Sequence, residues 1–368
     1  MPRASLVLTR CCSYNPEEVH SSVAGAIELL GGMGEFVAKG EKVLIKPNLI
    51  SARLPEEGVT THPEVVRAVI KLVKEYTSDI SLGDSPGGIG KNTDEVYERS
   101  GMKRVAMEEG ISLVKFDRAR IIKGMPVALA VLEAERVISV PKFKTHANTI
   151  LTCAIKNMFG IISGLYKANM HAVAPKAEDF AKKIVDVFSM RAPDLTVLDA
   201  VVAMEGNGPA TGDLRKMGLI AAGSDAVSID AVMAKIVGLD PFNVPIIKEA
   251  HDRGLGTAEM SDMDIIGLNL KDAVQADFKL PKAYGVYKKI PQPVLKAIIS
   301  LIKFFPVINK KICKKCDMCH EICLAGAVDI AEYKIDRSKC ILCLCCQEIC
   351  PYKAIYIKRS VLAKIMSE

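Results

Sequence analysis

The chain has 368 residues, 12 of them Cys, no Trp and a formal net charge of +6. Its 49% hydrophobic and 25% charged residues are globular values that exclude disorder, collagen and coiled coil. At roughly 150 residues per domain, two or three domains fit. No run of about 18 apolar residues predicts a membrane span, and the N-terminus leads into a strand-like run rather than a signal peptide. Sparse aromatics argue against nucleic acid as a partner, and the expected location is cytoplasmic.

The first 270 residues alternate strand-like and helical runs. Ser5–Arg10 reads as a strand, and Pro16-Glu17-Glu18 opens a helix ending near Gly31-Gly32. Lys42–Lys46 is a second strand, stopped by Pro47. Thr61-His62-Pro63-Glu64 starts a helix with Val65, Val66, Val69, Ile70 and Val73 on one face. Ile80–Leu82 and Arg136–Val140 read as strands, and Asn148–Phe159 as a helix. Leu195–Leu198, Leu219–Ala222 and Asp264–Ile266 read as strands, with helices near Lys176–Met190 and Ala226–Val237. This alternation predicts an α/β fold, a mostly parallel sheet with helices on both faces, over residues 1–282. Ligands of such sheets bind at loops after the strands' carboxyl ends. Residues 283–306 read as a basic amphipathic connector with an apolar helix Val294–Phe305, able to touch a membrane surface.

Nine of the 12 cysteines fall between Cys313 and Cys350. They form a duplication. Cys313-x2-Cys316-x2-Cys319-x3-Cys323 is followed by Cys340-x2-Cys343-x2-Cys346-x3-Cys350-Pro351. The doubled spacing is the bacterial ferredoxin pattern for two 4Fe-4S clusters, in which each fourth ligand serves the other cluster. Cys313, Cys316, Cys319 and Cys350 are therefore assigned to one cluster, and Cys340, Cys343, Cys346 and Cys323 to the other. Residues 307–360 are expected to form a small α+β ferredoxin-like domain that relays electrons. Leu324 stands where such motifs carry Pro, and Cys345 is an extra thiol able to compete with Cys346. From Leu280 onward, 16 Lys+Arg face 7 Asp+Glu, so the tail favours an acidic redox partner. Cys11, Cys12 and Cys153 read as buried small residues.

Weaker signals lie in the large domain. Gly83–Lys91 lacks the P-loop glycine and the hydroxyl residue after Lys. Gly206-x-Gly208-x3-Gly212 reads as a turn, with Glu205 and Asn207 beside it. Lys142-x-Lys144-Thr145-His146 follows a strand, with Lys156 and Asn157 ten residues on. Lys46, Asn48 and Asp84 follow two other strands. Lys46, Lys142, Lys144 and Lys156 would attract a carboxylate or phosphate. Asn48, Asn157 and Glu205 add polar groups, and His146 could transfer protons or bind metal. Asp84 and Asp230 could orient or balance these charges.

VLIKPNLI (43–50), TTHPEVVRAVI (60–70), SLGDSPGG (81–88), VPKFKTHANTILTCAIKNMFG (140–160) and MEGNGP (204–209) resemble domain-of-unknown-function family 362, whose members often carry a C-terminal ferredoxin pair. The resemblance implies iron–sulfur binding and a redox role. A more distant similarity is to the N-terminal domain of nickel-pincer lactate racemases. There a His and a Lys ten residues apart hold the cofactor, a spacing shared by His146 and Lys156. That family's glycine-rich run before the Lys is missing here, and Asp84 stands where it has a catalytic His.

Three readings follow. In the first, the clusters feed electrons to a small anionic substrate in an enzyme site of Lys46, Asp84, Lys142, Lys144, His146 and Lys156, with His146 as proton donor. In the second, the chain is a non-catalytic carrier or an iron–sulfur subunit of a larger redox complex. In the third, His146 and Lys156 hold a further organic or nickel cofactor.

Overall fold

The structure is a computed structural model and describes residues 3–86, 93–164, 166–167, 170, 174, 177–281, 304–341 and 344–359. Its strands in chain order are β1 (Ala4–Arg10), β2 (Val43–Pro47), β3 (Ile80–Leu82), β4 (Ser112–Leu113), β5 (Ala119–Ile122), β6 (Met125–Ala128), β7 (Arg136–Val140), β8 (Lys142–His146), β9 (Ile150–Thr152), β10 (Leu195–Glu205), β11 (Asp213–Gly223) and β12 (Met263–Gly267). β5 and β6 form a separate hairpin, and the others form one sheet. Its order is β12-β1-β11-β10-β7-β2-β3-β4, with β8 beside β10 and β9 beside β8. Along that path only β11 is antiparallel to its neighbours.

Successive strand residues point to opposite faces, and both faces are apolar. Leu6, Leu8, Leu44 and Val137 enter one core, whereas Val7, Val43, Ile45 and Ile138 enter the other. The helix Pro63–Lys74 covers the second core with Val65, Val66, Val69, Ile70 and Val73, the face expected from spacing. Each such side chain contributes about 1.5–3 kcal/mol on burial. Helices Ala177–Phe188 and Ala226–Ile236 cover the first core.

Residues 148–159 are not one helix. Ile150–Thr152 is a strand, Ala154–Asn157 a single helical turn, and Met158–Ile161 a 3-10 turn. β-Branched Thr149, Ile150 and Thr152 favour the extended start. The strands expected near 195 and 219 belong to a long antiparallel hairpin of β10 and β11, and Gly206–Gly212 form its tip. Cys11 and Cys153 are buried as expected, but Cys12 is exposed. The connector reading falls mostly outside the described residues. At its end, Phe304 and Phe305 lie in a strand rather than the expected helix.

The cysteine-rich segment adds β13 (Phe304–Ile308), β14 (Val328–Asp329), β15 (Lys334–Ile335) and β16 (Ile355–Arg359). β13 pairs with β16 and β14 with β15, both antiparallel. Its core contains Ile308, Ile322, Ile349 and Ile355 together with buried cysteines. Among the described residues no helix is long and apolar enough to cross a membrane.

Candidate functional site: a cleft between the sheet and the cysteine-rich segment

The duplication of the tail is visible in its backbone. Asp317 and Leu344, each following the second cysteine of a motif, have φ of 60° and 62°. Each precedes a short helix, Met318–Glu321 or Cys345–Ile349. Three residues after Cys323 and Cys350, Gly326 and Lys353 again have positive φ, at 57° and 52°. In both halves the next amide then donates to the cysteine sulfur: Ala327 N to Cys323 Sγ and Ala354 N to Cys350 Sγ, each at 3.3 Å. Lys315 N donates to Cys313 Sγ at 3.4 Å. Amides aimed at sulfur suit thiolates that ligate iron.

Cys313, Cys316, Cys319 and Cys350 line one small cavity. Burial, then Cys350, Cys316 and Cys313, push the Cys319 thiol up to about 11. Cys350 of the second motif thus lies beside Cys313, Cys316 and Cys319 of the first. Among the described residues no three donors converge at single-ion spacing, whereas cluster ligands each bind a different iron. The donor set fits a 4Fe-4S cluster. Cys323, Cys340 and Cys346 are described for the second set, and Cys343 lies outside the described residues.

The carboxyl ends of β2 and β3 bring Lys46 and Asp84 together. Their ion pair is 2.7 Å long and almost fully buried. Burial lowers the Lys46 pKa, and Asp84 opposes that shift. Asp84 Oδ2 also accepts Leu49 N–H at 2.7 Å. Gly160 lies against this pair, and a Cβ there would overlap both Asp84 Oδ1 and Lys46 Nζ. Gly160→Ala is expected to break the pair and lower the thermal midpoint by several degrees, as followed by circular dichroism.

Above the pair opens a cleft of about 780 Å³, counting its open mouth. One wall carries Asn48, Asp84, His146, Lys156, Asn157 and Lys167, and the other carries Ile322, Cys345 and Ile349 of the cysteine-rich segment. Lys156 Nζ lies 5.3 Å and 5.5 Å from the ring centres of Phe159 and Phe180. Asn157 Nδ2 donates to Ser139 Oγ and the Lys46 carbonyl, and its Oδ1 accepts from Asn48 Nδ2 at 3.2 Å.

Asp230 positions this wall. Its carboxylate accepts Ala154 N–H at 2.7 Å and Ile155 N–H at 3.3 Å, fixing the turn that carries Lys156 and Asn157. Burial pushes its pKa up to about 7 from an ordinary 3.8, against the pull of these hydrogen bonds. Between those values the folded chain holds a proton that the unfolded chain has lost, so stability falls as pH rises. Asp230→Asn is expected to remove that slope, worth at most about 4 kcal/mol. Urea unfolding of both proteins at pH 5 and pH 7 checks it.

His146 ends β8 and reaches the cleft. Its Nδ1 accepts the Asn148 and Thr149 amides at 3.1 Å and 3.3 Å, so the ring proton sits on Nε2. A protonated Nε2 donates a hydrogen bond and lacks the lone pair that metal ligation needs. The donor set therefore does not fit a nickel-type cofactor at His146 and Lys156.

Other residues singled out in the sequence lie elsewhere. Lys142, Lys144 and His146 share one face of β8, about 6.6 Å apart per pair, so only the last reaches the cleft. Lys144 Nζ, beneath it, donates to Asn48 Oδ1 at 2.6 Å and to the Val59 carbonyl at 2.5 Å. Lys142 Nζ pairs with Asp199 at 2.9 Å and donates to Tyr14 OH at 2.6 Å. Glu205 accepts Lys279 N–H at 3.0 Å. His62 stacks on Tyr14 and caps a helix through Nδ1.

Sequence reasoning missed Lys167 and Arg53. Lys167 Nζ donates to the Ser85 hydroxyl at 2.9 Å and to the Ser85 and Pro86 carbonyls. Burial lowers its pKa to about 7, with Asp84 raising it and Lys46 and Lys156 lowering it further. Arg53 is fully buried and joins the two parts of the chain. It donates to the Cys350 carbonyl at 2.5 Å, the Pro351 carbonyl at 2.9 Å and Glu57 Oε1 at 3.0 Å. Gln347 Nε2 reaches Thr211 Oγ1, at the tip of the β10–β11 hairpin, at 3.2 Å. Neither Lys167 nor Arg53 stands in a motif, since partners 82 residues away for Lys167 and 297 to 298 away for Arg53 give no local signal.

A sheet with a polar cleft at its strand ends, followed by a duplicated cysteine-rich segment, defines an iron–sulfur protein. Residues 333–356 match the 4Fe-4S binding domain family. Residues 43–235 match the domain of unknown function DUF362, and the chain belongs to that family. It is 35% identical over 286 residues to a thylakoid-associated protein of Synechocystis sp., covering 76% of this chain and 88% of the relative. Its tail is 41% identical over 56 residues to pyruvate synthase subunit PorD of Methanothermobacter marburgensis, 15% of this chain and 68% of the relative. The lactate racemase apoprotein of Thermoanaerobacterium thermosaccharolyticum is 12% identical with a TM-score of 0.38, over 61% of this chain and 55% of that one. The chain thus spans about half the length of that structure.

Proposed function

We propose that residues 1–282 and 307–360 form two domains, that the second carries two 4Fe-4S clusters, and that these pass electrons to a small anion in the cleft. One observation carries the reading. The three cleft residues from the cysteine domain, Ile322, Cys345 and Ile349, each immediately precede an assigned ligand, Cys323, Cys346 or Cys350.

A bound cluster takes up and releases one electron at a time. The chain's own residues do the rest. Lys156, set between two aromatic faces, attracts a carboxylate or phosphate, and Asn48 and Asn157 give it direction. His146 donates a hydrogen bond through Nε2. An acceptor that takes two electrons also takes two protons. Lys167, titrating near neutrality, gives up a proton to each reduced intermediate and regains it from water at the open mouth.

The likeness of the tail to a pyruvate synthase subunit favours a second reading, a carrier subunit that docks on a larger redox complex. In either case the redox partner supplying electrons is acidic. Anaerobic iron and acid-labile sulfide analysis tests the cofactor assignment. About eight of each per chain are expected, and about four would overturn the two-cluster reading.

A further inference from the structure

We infer that the loop Lys310–Lys315 is the docking face for an acidic one-electron carrier protein that supplies the relay; this rests on the cluster reading above. Lys310, Lys311, Lys314 and Lys315 are all exposed and bracket Cys313. Cys316, an assigned ligand of the same cluster, is itself exposed. Through residue 317 the four cations face one carboxylate, Asp317, which is held by the Tyr333 hydroxyl at 2.7 Å. Ile312, 43% exposed in the middle of the loop, offers the apolar contact that a transient interface uses at its centre.

Another part of this segment is already taken. Ile322, Cys345 and Ile349, which adjoin Cys323, Cys346 and Cys350, wall the cleft, while Arg53 and Thr211 hold Cys350 and Gln347. Electrons therefore arrive at the lysine-rich loop, nearest Cys313 and Cys316. In each transfer the carrier is oxidised by one electron and the chain is reduced by one. Lysines around an exposed ligand accelerate encounter with an acidic carrier by steering, an effect that salt removes.

The test uses the full chain loaded with its clusters. Reduction is followed by bleaching in stopped flow, with a purified acidic 2Fe-2S ferredoxin as one reductant and photoreduced deazariboflavin, small and neutral, as the other. Lys310 and Lys311 are changed together, to Gln or to Glu. Lys314 is kept because it lines the thiol cavity, and Lys315 because its ammonium lies over Tyr333. At low salt the ferredoxin rate should fall at least tenfold in the Glu pair and by an intermediate factor in the Gln pair. The salt dependence of the wild type should be lost, and deazariboflavin rates and iron content should be equal in all three. A wild-type ferredoxin rate in the Glu pair overturns the docking face and leaves the cluster reading intact. Failure of the wild type to bleach with either reductant overturns both.

Discussion

Asp84→Ala is expected to cost about 3–5 kcal/mol of stability, because it strands the Lys46 ammonium without a counter-charge in the sheet's interior. The pair is nearly inaccessible to water, and Lys46 is already held below its usual pKa by burial. A second change, Lys46→Met, is expected to return much of the loss, since an apolar side chain of similar length has no charge to solvate. Urea unfolding of the wild type, the single variant and the double variant checks this. A single variant within 1 kcal/mol of wild type would refute the claim. Asp84 neutralises Lys46, so Lys46 is not a free cation at the base of the cleft.

Arg53→Gln is expected to separate the cysteine domain from the sheet without emptying it of iron. The guanidinium satisfies two carbonyls at the end of the second cysteine motif and one carboxylate, all from a site that water does not reach. A shorter neutral amide cannot span those acceptors, at a cost of about 2–4 kcal/mol to docking. Limited proteolysis should release the cysteine-rich segment several-fold faster from the variant, with iron content unchanged. Electrons should still enter from deazariboflavin but no longer leave to an anion. Unchanged proteolysis together with unchanged oxidation would show that Arg53 does not hold the cleft closed.

Much of this was legible in the sequence because it is local. Strand and helix periods placed β1, β2, β3 and β7 and the helix Pro63–Lys74 within a residue or two. Strand ends were the right place to look for polar groups, which is why Asn48, Asp84, His146, Lys156 and Asn157 line one cleft. What spacing could not tell is which lysine meets a carboxylate. Lys46 and Lys142 were read as cations awaiting an anion, yet Asp84 and Asp199 answer them inside the fold. Nor could it show that the cysteine domain supplies a wall of the cleft, because Arg53, Ile322 and Cys345 meet their partners only through tertiary packing. The short strand at Ile150–Thr152 is missed for a related reason: its β-branched residues favour extension only weakly until β8 pairs with it.

The central claim is that electrons cross from the cysteine domain into the cleft it walls. Single-turnover oxidation tests it most directly. The full chain, reduced with photoreduced deazariboflavin, is mixed anaerobically with pyruvate, fumarate or nitrobenzoate, each compared with its neutral methyl ester. At least one anion should oxidise the protein faster than its ester, and Lys156→Ala should slow that reaction at least tenfold while leaving the ester rate and the iron content unchanged. Oxidation no faster by any anion than by its ester, or a Lys156→Ala rate equal to wild type, would contradict it.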